Sequence, residues 1–384
     1  MRPTVNIIRT LVGVLFIISG LVKANDPLGL AYKMQEFFEI WNTDLAASSF
    51  FLKNALINLF TFLHNQSLAL SIIMITLEIL AGIALLIGWR KRLVLNGLLL
   101  LIVFFTFLTA YAYLSGKFKN CGCFGDCIPI TPFTSFMKDV VLLAMIVFLY
   151  AMQRYIEPLF SRRGQATSML ASFLLVAGLQ WYALNYLPPV DCLPFKEGNN
   201  IAEQMKIPPN AVPDSFAMKF IYEKEGKQYE FGMDELPADL ASYKFVDRTQ
   251  KLIRKGNAEP PIKGFSLNGV SGTDSTQAVL DEPTSILVLG ERLYASQGAW
   301  VDDLKQLRDK ARQKNTSVYV ITPDANSARA LLSQNGLADL PVFSCDNTAV
   351  RTAARTNPTV LLVNKGTIKE KVSYRNMDDI TEQL

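Results

Sequence analysis

Three cysteines fall within seven residues, in Asn120-Cys121-Gly122-Cys123-Phe124-Gly125-Asp126-Cys127, and a fourth, Cys192, follows further along the chain. Thiols at this spacing support three chemistries. The first is a structural disulfide that staples the loop. The second is thiol–disulfide exchange by Cys121, Cys123 and Cys127, with Cys192 as a resolving partner. A bridge between Cys121 and Cys123 spans only one residue, so its Cα atoms are poorly spaced for ordinary bridge geometry, and strain makes a disulfide easier to reduce. Gly122 and Gly125 supply the permissive backbone of a tight loop. The third is a three-thiolate metal site. Zinc asks for a fourth protein ligand, and the chain's one histidine, His64, is far off in sequence, so no metal is expected. The fifth cysteine, Cys345, reads as a small buried hydrophobe.

Glu78 is the other candidate. It lies in the middle of the apolar run IIMITLEILAGIALL, where a carboxylate is costly unless it faces a polar partner or the interior of a helix bundle. Two roles fit: a neutral acid in an interhelical hydrogen bond, or a proton or quinone contact. Lys138-Asp139 reads as an interfacial pair, with a relay as the other role that fits. Lys23 is expected to snorkel to the membrane surface, with no chemistry of its own.

The elements that must hold these residues differ between the two halves. Half of the 384 residues are hydrophobic and the mean hydropathy is positive, which is unusual for a soluble chain. Residues 1–190 carry nearly all the long apolar runs, with 14 Lys/Arg against 8 Asp/Glu; residues 191–384 carry 24 against 26. The net charge of +4 therefore belongs to the apolar half and does not point to nucleic acid. Five spans are expected at about 4–22, 67–89, 93–114, 133–154 and 167–186. Residues 26–66 are amphipathic and suit a helix lying on the bilayer. Arg90-Lys91-Arg92 and Arg154, Arg162 and Arg163 mark two loops on one side, which the positive-inside tendency makes cytoplasmic. The N-terminus is then inside, with the cysteine loop and everything after residue 187 in an oxidising compartment outside.

Beyond the fifth span, 190–215 reads as an extended linker and MKFIYEKEGKQYEF as a hairpin around Glu225-Gly226. From 261 the order is a short β opening, a buried strand (285–290), a helix (299–314), a strand (318–322), a helix (325–335), a short strand (341–346) and a closing hairpin from NPTVLLV. This order, with Pro358 before the closing hairpin, resembles the thioredoxin fold, in which that proline is cis beside the active site. Redox-active members place Cys-x-x-Cys after the first core strand. The corresponding segment is Gly290-Glu291-Arg292-Leu293-Tyr294-Ala295-Ser296-Gln297-Gly298, which rules out that reaction in this domain.

The first span reads Arg9-x3-Gly13-x2-Phe16-x2-Ser19-Gly20-x2-Lys23, then Asp26-Pro27-Leu28-Gly29. It resembles the bacterial DoxX family, and CGCFG after the third span resembles DoxX and MauE-type membrane proteins. The resemblance implies a membrane all-α bundle with a DoxX-like four-helix core (1–155) and a fifth span (156–190), then a linker and β-hairpin region (191–260) and an α/β thioredoxin-like domain (261–384). On the DoxX side it implies a quinone-linked oxidoreductase subunit. On the MauE side it implies disulfide-dependent maturation of a periplasmic enzyme. Two functions stay open: thiol–disulfide or quinone-linked redox at the periplasmic face of the inner membrane, or a non-enzymatic assembly factor that binds a periplasmic client through its thioredoxin-like domain.

Overall fold

The computed structural model describes the chain except residues 119–121, 123, 124, 126, 129, 213, 214, 225, 233–235, 238, 255, 257, 295–297 and 299, and the side chains of 216, 217, 241 and 251–254. Among the described residues five helices are long and apolar enough to cross a bilayer: α1 (Arg2–Asn25), α4 (Ser67–Ile87), α5 (Lys91–Ser115), α6 (Pro132–Ala151) and α7 (Arg162–Tyr186). Between the first two lies a hairpin of α2 (Pro27–Ala47) and α3 (Lys53–Asn65). On α1, Ile7, Leu11, Val14, Ile18 and Leu21 recur every three or four residues and are exposed. Val5, Val12 and Phe16 face inward onto Leu95, Leu98 and Ile146. Apolar residues on both faces suit a helix with lipid on one side and protein on the other.

Small residues bring α1 and α4 together. A Cβ added to Gly82 would meet the Gly13 carbonyl oxygen at 2.8 Å, so neither helix tolerates a side chain at that crossing. Arg9 then closes the far end of α4. Its Nε donates to the Leu85 carbonyl at 2.7 Å and its Nη1 to the Glu157 carbonyl at 3.0 Å, so backbone acceptors in the last turn of α4 and in the turn before α7 are satisfied inside the protein. Arg9, Lys91 and Arg2 all contact the Ile156–Glu157 turn, which gathers both basic loops at one end of the bundle. The cysteine loop and the exit from α7 lie at the other end.

The chain after α7 is built into the soluble part rather than merely connecting it. Phe195 and Ile201 are fully buried in an α/β core, and Phe195 packs edge-on against Phe265 at 5.3 Å. Asp191 pairs with Lys371 at 2.6 Å, and a short helix α8 (Ile201–Gln204) follows. Apolar Leu193, Phe195 and Ile201 among polar neighbours explain why a segment expected as linker docks instead. Next comes a three-stranded antiparallel sheet, β2-β1-β3, from β1 (Ser215–Lys224), β2 (Lys227–Gly232) and β3 (Lys244–Arg254). Its first two strands are the expected hairpin, with Lys224 opposite Lys227.

The remaining elements are α9 (Thr276–Leu280), β4 (Ser285–Leu289), α10 (Val301–Gln313), β5 (Ser317–Thr322), α11 (Ala325–Gln334), β6 (Val342–Ser344), α12 (Asn347–Ala353), β7 (Thr359–Asn364), β8 (Thr367–Ser373) and α13 (Met377–Gln383). The sheet order is β6-β5-β4-β7-β8, parallel through β4, β5 and β6 and antiparallel at β7 and β8. The β-α-β-α-β-β order read from the sequence holds, with α12 and α13 added. The expected β opening before residue 281 is only isolated bridges at Asn268 followed by α9. Every residue of β4 is buried, as a strand covered on both faces must be. The Asn357-Pro358 peptide is cis.

Candidate functional site

Glu78 faces the bundle interior and Lys23 faces it. The Lys23 ammonium lies 2.8 and 2.7 Å from the two Glu78 carboxylate oxygens and donates to Ser19 Oγ at 3.0 Å; both side chains of the pair are about 4% exposed or less. Lys23 therefore does not snorkel. A carboxylate within reach on α4 holds the ammonium inside, which water at the surface would otherwise do. The same contact gives Glu78 the interhelical partner expected of it, a lysine ammonium on α1. The Phe105 ring covers Lys23 from the other side, 5.0 Å from Nζ.

Lys138 and Asp139 also differ from expectation. Asp139 is 1% exposed, pairs with Lys138 at 2.7 Å and accepts from Thr109 Oγ1 at 3.0 Å. Thr131 caps α6 and Pro132 occupies its first turn, so Asp139 sits nearly two turns inside the helix, about 10 Å along it, on the face turned to α5. A pair expected at the interface is thus carried into the bundle.

Lys23, Glu78 and Lys138 line one internal space. A cavity of about 50 Å³ is bounded by Lys23, Glu78, Thr109 and Lys138, by the rings of Phe37 and Phe105, and at its outer rim by Gly122 and Lys33. A smaller void beside it is lined by Ser19, Glu78, Lys138 and Asp139. A Cβ on Gly122 would meet Lys33 Cγ at 2.9 Å, and the glycine's φ of +70° already excludes most side chains. The middle residue of Cys-Gly-Cys therefore rests directly on α2 over the cavity. Cys121 and Cys123 themselves lie outside the described residues.

Cys127 and Cys192 form a disulfide with a Cα–Cα distance of 4.9 Å. It joins the cysteine loop to the segment held on β8 by the Asp191–Lys371 ion pair. Lys371 is almost wholly buried, which lowers its pKa, and Asp191 opposes that shift. Asn25 ties the end of α1 to the same segment, exchanging two hydrogen bonds with the backbone of Val190 at 2.8 and 2.9 Å.

Asp26 works at both levels. One carboxylate oxygen caps α2 by accepting from Gly29 N–H at 3.0 Å, with Pro27 at the first helical position, and the other accepts from Arg355 Nε at 2.7 Å. This accounts for Asp-Pro at 26–27. Beside it, Tyr32 on α2 lies under the guanidinium groups of Arg351 (4.7 Å) and Arg355 (5.5 Å) and donates to Glu291 at 3.3 Å. Burial and the Glu291 charge push the Tyr32 hydroxyl up to about 12. Glu291 also pairs with Arg351 at 2.6 Å, and the backbone N–H of Arg292 donates to Asn357 next to cis-Pro358. The segment after β4, where a thioredoxin fold carries thiols, is in this chain pinned to α2 by a carboxylate. Nothing in the local sequence signals this contact, because its partners are more than 250 residues apart.

Between α2 and α12 a polar cleft of about 550 Å³ opens beside the same contacts, with Lys33, Glu36, Lys117, Thr348 and Thr352 on its walls. Lys33 lines both the cleft and the internal cavity.

Cys345 is buried, as expected, and its thiol is pushed up to about 11 by burial. Because the thiolate is the reactive form, maleimide at pH 7 should leave Cys345 unmodified in the folded protein and label it fully after denaturation. Mass spectrometry of the tryptic peptide checks this, and rapid native labelling would contradict the burial. His64 contacts Glu39 at 3.0 Å near the end of α3, away from the cavity.

Residues 216–255, which hold the three-stranded sheet, match a family model described as a domain of unknown function. The α/β part is similar in structure to a thioredoxin-like protein from Aeropyrum pernix (16% identity, 32% of this chain and 89% of that chain, TM-score 0.26). It is also similar to a thiol-disulfide oxidoreductase from Bacteroides fragilis NCTC 9343 (18% identity, 32% and 98%, TM-score 0.27). Protein TlpB of Flavobacterium psychrophilum is 32% identical over 149 residues, which is 37% of this chain and 35% of that protein. The chain thus spans about a third of the length of the curated relative it matches. The membrane half matches the family model described as methylamine utilisation protein MauE, over residues 1–152. That stretch holds the Gly13–Gly82 crossing, the Lys23–Glu78 pair and the whole cysteine loop, so the N-terminal part of this chain is a MauE family domain.

Proposed function

We propose that the protein exchanges electrons between a thiol client and a membrane quinone at the periplasmic face of a bacterial inner membrane, with the cysteine loop as the exchange point. The observation that carries this reading is the placement of Gly122: the centre of Cys-Gly-Cys sits at the rim of an internal cavity that contains a buried lysine–carboxylate pair. The residues present fit a quinone head group. Phe37, Phe105 and Leu108 offer flat apolar walls, and Lys23 and Lys138 offer cationic hydrogen-bond donors for two carbonyl oxygens. Phe104, 41% exposed, also lines the cavity. When bound, a quinone supplies a two-electron, two-proton acceptor.

The chain's own residues do the rest. Cys121 and Cys123 lose two protons and two electrons as two S–H bonds give way to one S–S bond. The polar cleft beside Lys33 gives a client thiol access to the loop from outside, and the Cys127–Cys192 disulfide holds loop and soluble part in register. The gathering of both basic loops at the opposite end of the bundle supports the periplasmic side. The alternative, an assembly factor that grips its client through the thioredoxin-like face, is opposed by the engagement of that face with Tyr32.

Mass-tagging of thiols in cells tests the proposal. Cys121 and Cys123 are expected to shift from oxidised to reduced when quinone synthesis is blocked and a thiol client is in supply. Oxidation states that stay constant in both conditions, with serine variants losing abundance alone, would leave only the structural staple.

A further inference from the structure

The polar cleft between α2 and α12 is walled by two helical stripes of different chemistry. On α2, Tyr32, Gln35, Glu36 and Glu39 follow one another at the i, i+3, i+4 and i+7 spacing of one helix face. On α12, Thr348, Arg351 and Thr352 do the same, and Arg355 completes the row just beyond the helix. The opposite face of α12, with Ala349, Val350 and Ala353, is buried in the α/β core. A volume of about 550 Å³ lies within the range of small-ligand sites, roughly 300–1,000 Å³.

Charge divides the walls. Arg351 is held by Glu291 at 2.6 Å and by the Tyr32 ring at 4.7 Å, and a guanidinium has further N–H donors suited to a carboxylate. Thr348 lies one turn before it on the same face, whereas the Thr352 hydroxyl is spent on the Thr348 carbonyl at 2.7 Å. Arg355 is fixed by Asp26 and only 4% exposed, so Arg351 is the guanidinium that this wall offers. On α2, Glu36 and Glu39 are 40% and 64% exposed. Their partners are Lys33 at 2.6 Å and His64 at 3.0 Å, surface pairs of a kind that contributes little and is readily exchanged. Lys117, also on the wall, is paired with Asp44. An anion alone would meet Glu36 and Glu39, and a cation alone would meet Arg351, Lys33 and Lys117. A molecule carrying both charges suits both walls.

From these walls, and resting on the carrier reading above for the thiol alone, we infer that the cleft binds a small zwitterionic thiol of the amino-acid or short-peptide class. Its carboxylate takes Arg351 and Thr348, and its ammonium takes Glu36 and Glu39.

The test uses the full chain in lipid nanodiscs and isothermal titration calorimetry. S-methylglutathione is the probe, because it carries carboxylates and an ammonium but cannot exchange disulfides. Wild type is expected to bind it about fivefold more tightly than its N-acetyl derivative, which lacks the ammonium. In a Glu36→Gln, Glu39→Gln double variant that preference is expected to vanish, with the N-acetyl derivative bound as in wild type, which also shows that the variant is folded. Arg351→Gln is expected to weaken both ligands about tenfold, and Thr348→Val, which leaves the Arg351–Glu291 pair in place, about threefold. Equal affinity of the two ligands for wild type, or no binding of S-methylglutathione, overturns the inference and leaves the carrier reading standing. The carrier reading is judged separately, by the quinone-depletion experiment above: constant oxidation states there, with binding as expected here, strike the thiol and leave a zwitterion site.

Discussion

Replacing Glu78 by leucine alone is expected to destabilise the membrane bundle by about 3–5 kcal/mol, the usual cost of leaving one member of a buried pair without its partner. The remaining Lys23 ammonium is 3% exposed, sits under Phe105 and would keep only Ser19 as a polar contact among those described. Lys23→Met is expected to cost a similar amount by stranding the carboxylate. The double variant, Lys23→Met with Glu78→Leu, is expected to recover most of the loss, because an apolar pair fills the same space without charge. Thermal unfolding of the three variants in one detergent gives the answer as a double-mutant cycle. Single variants that melt with the wild type, or a double variant no better than either single, would show that the two side chains are not coupled.

The second large effect belongs to Cys127–Cys192. The bridge closes a loop with a sequence separation of 65, for which loss of chain entropy in the unfolded state corresponds to about 4 kcal/mol. Cys192→Ser is expected to lower the melting temperature accordingly and to loosen the soluble part from the bundle. A direct check is a protease site inserted in the exposed turn at 159–161, between α6 and α7. After cleavage the two fragments should run as one species without reductant and as two with it. Separation without reductant would mean that the bridge is not formed. Asp191–Lys371 and Asp26–Arg355 are expected to keep some docking in the reduced protein, since both ion pairs are largely buried.

These results also explain why so short a motif reaches so far through the structure. Arg9 closes the end of α4, Gly13 admits α4 at the crossing, Lys23 meets Glu78 with Ser19 beside it on the same helix, and Asp26 caps α2 while holding Arg355. Arg9, Gly13 and Lys23 thus each have a contact on another element, and α1 is the strut against which the other helices are set.

What the sequence determined by itself is the part written in local patterns. Apolar runs long enough to span a bilayer located five helices, because hydrocarbon leaves a backbone few other options. Basic residues at alternate turns put both cationic loops at one end. In the soluble half, period and turn residues located the core strands, and the absence of cysteine from 290–298 was plain from residue type. What only tertiary structure decided depends on residues far apart in the chain. Distance from a helix end alone places Lys23 at the surface and Asp139 at the interface. Their burial follows from partners on other helices, Glu78 and Thr109, at the same depth. The docking of 190–204 on the α/β core, the pairing of Cys127 with Cys192 in preference to its nearer neighbours, and the Tyr32–Glu291 contact have the same origin. Periodicity records which face of an element is apolar; which charge lies opposite is fixed only when the elements pack.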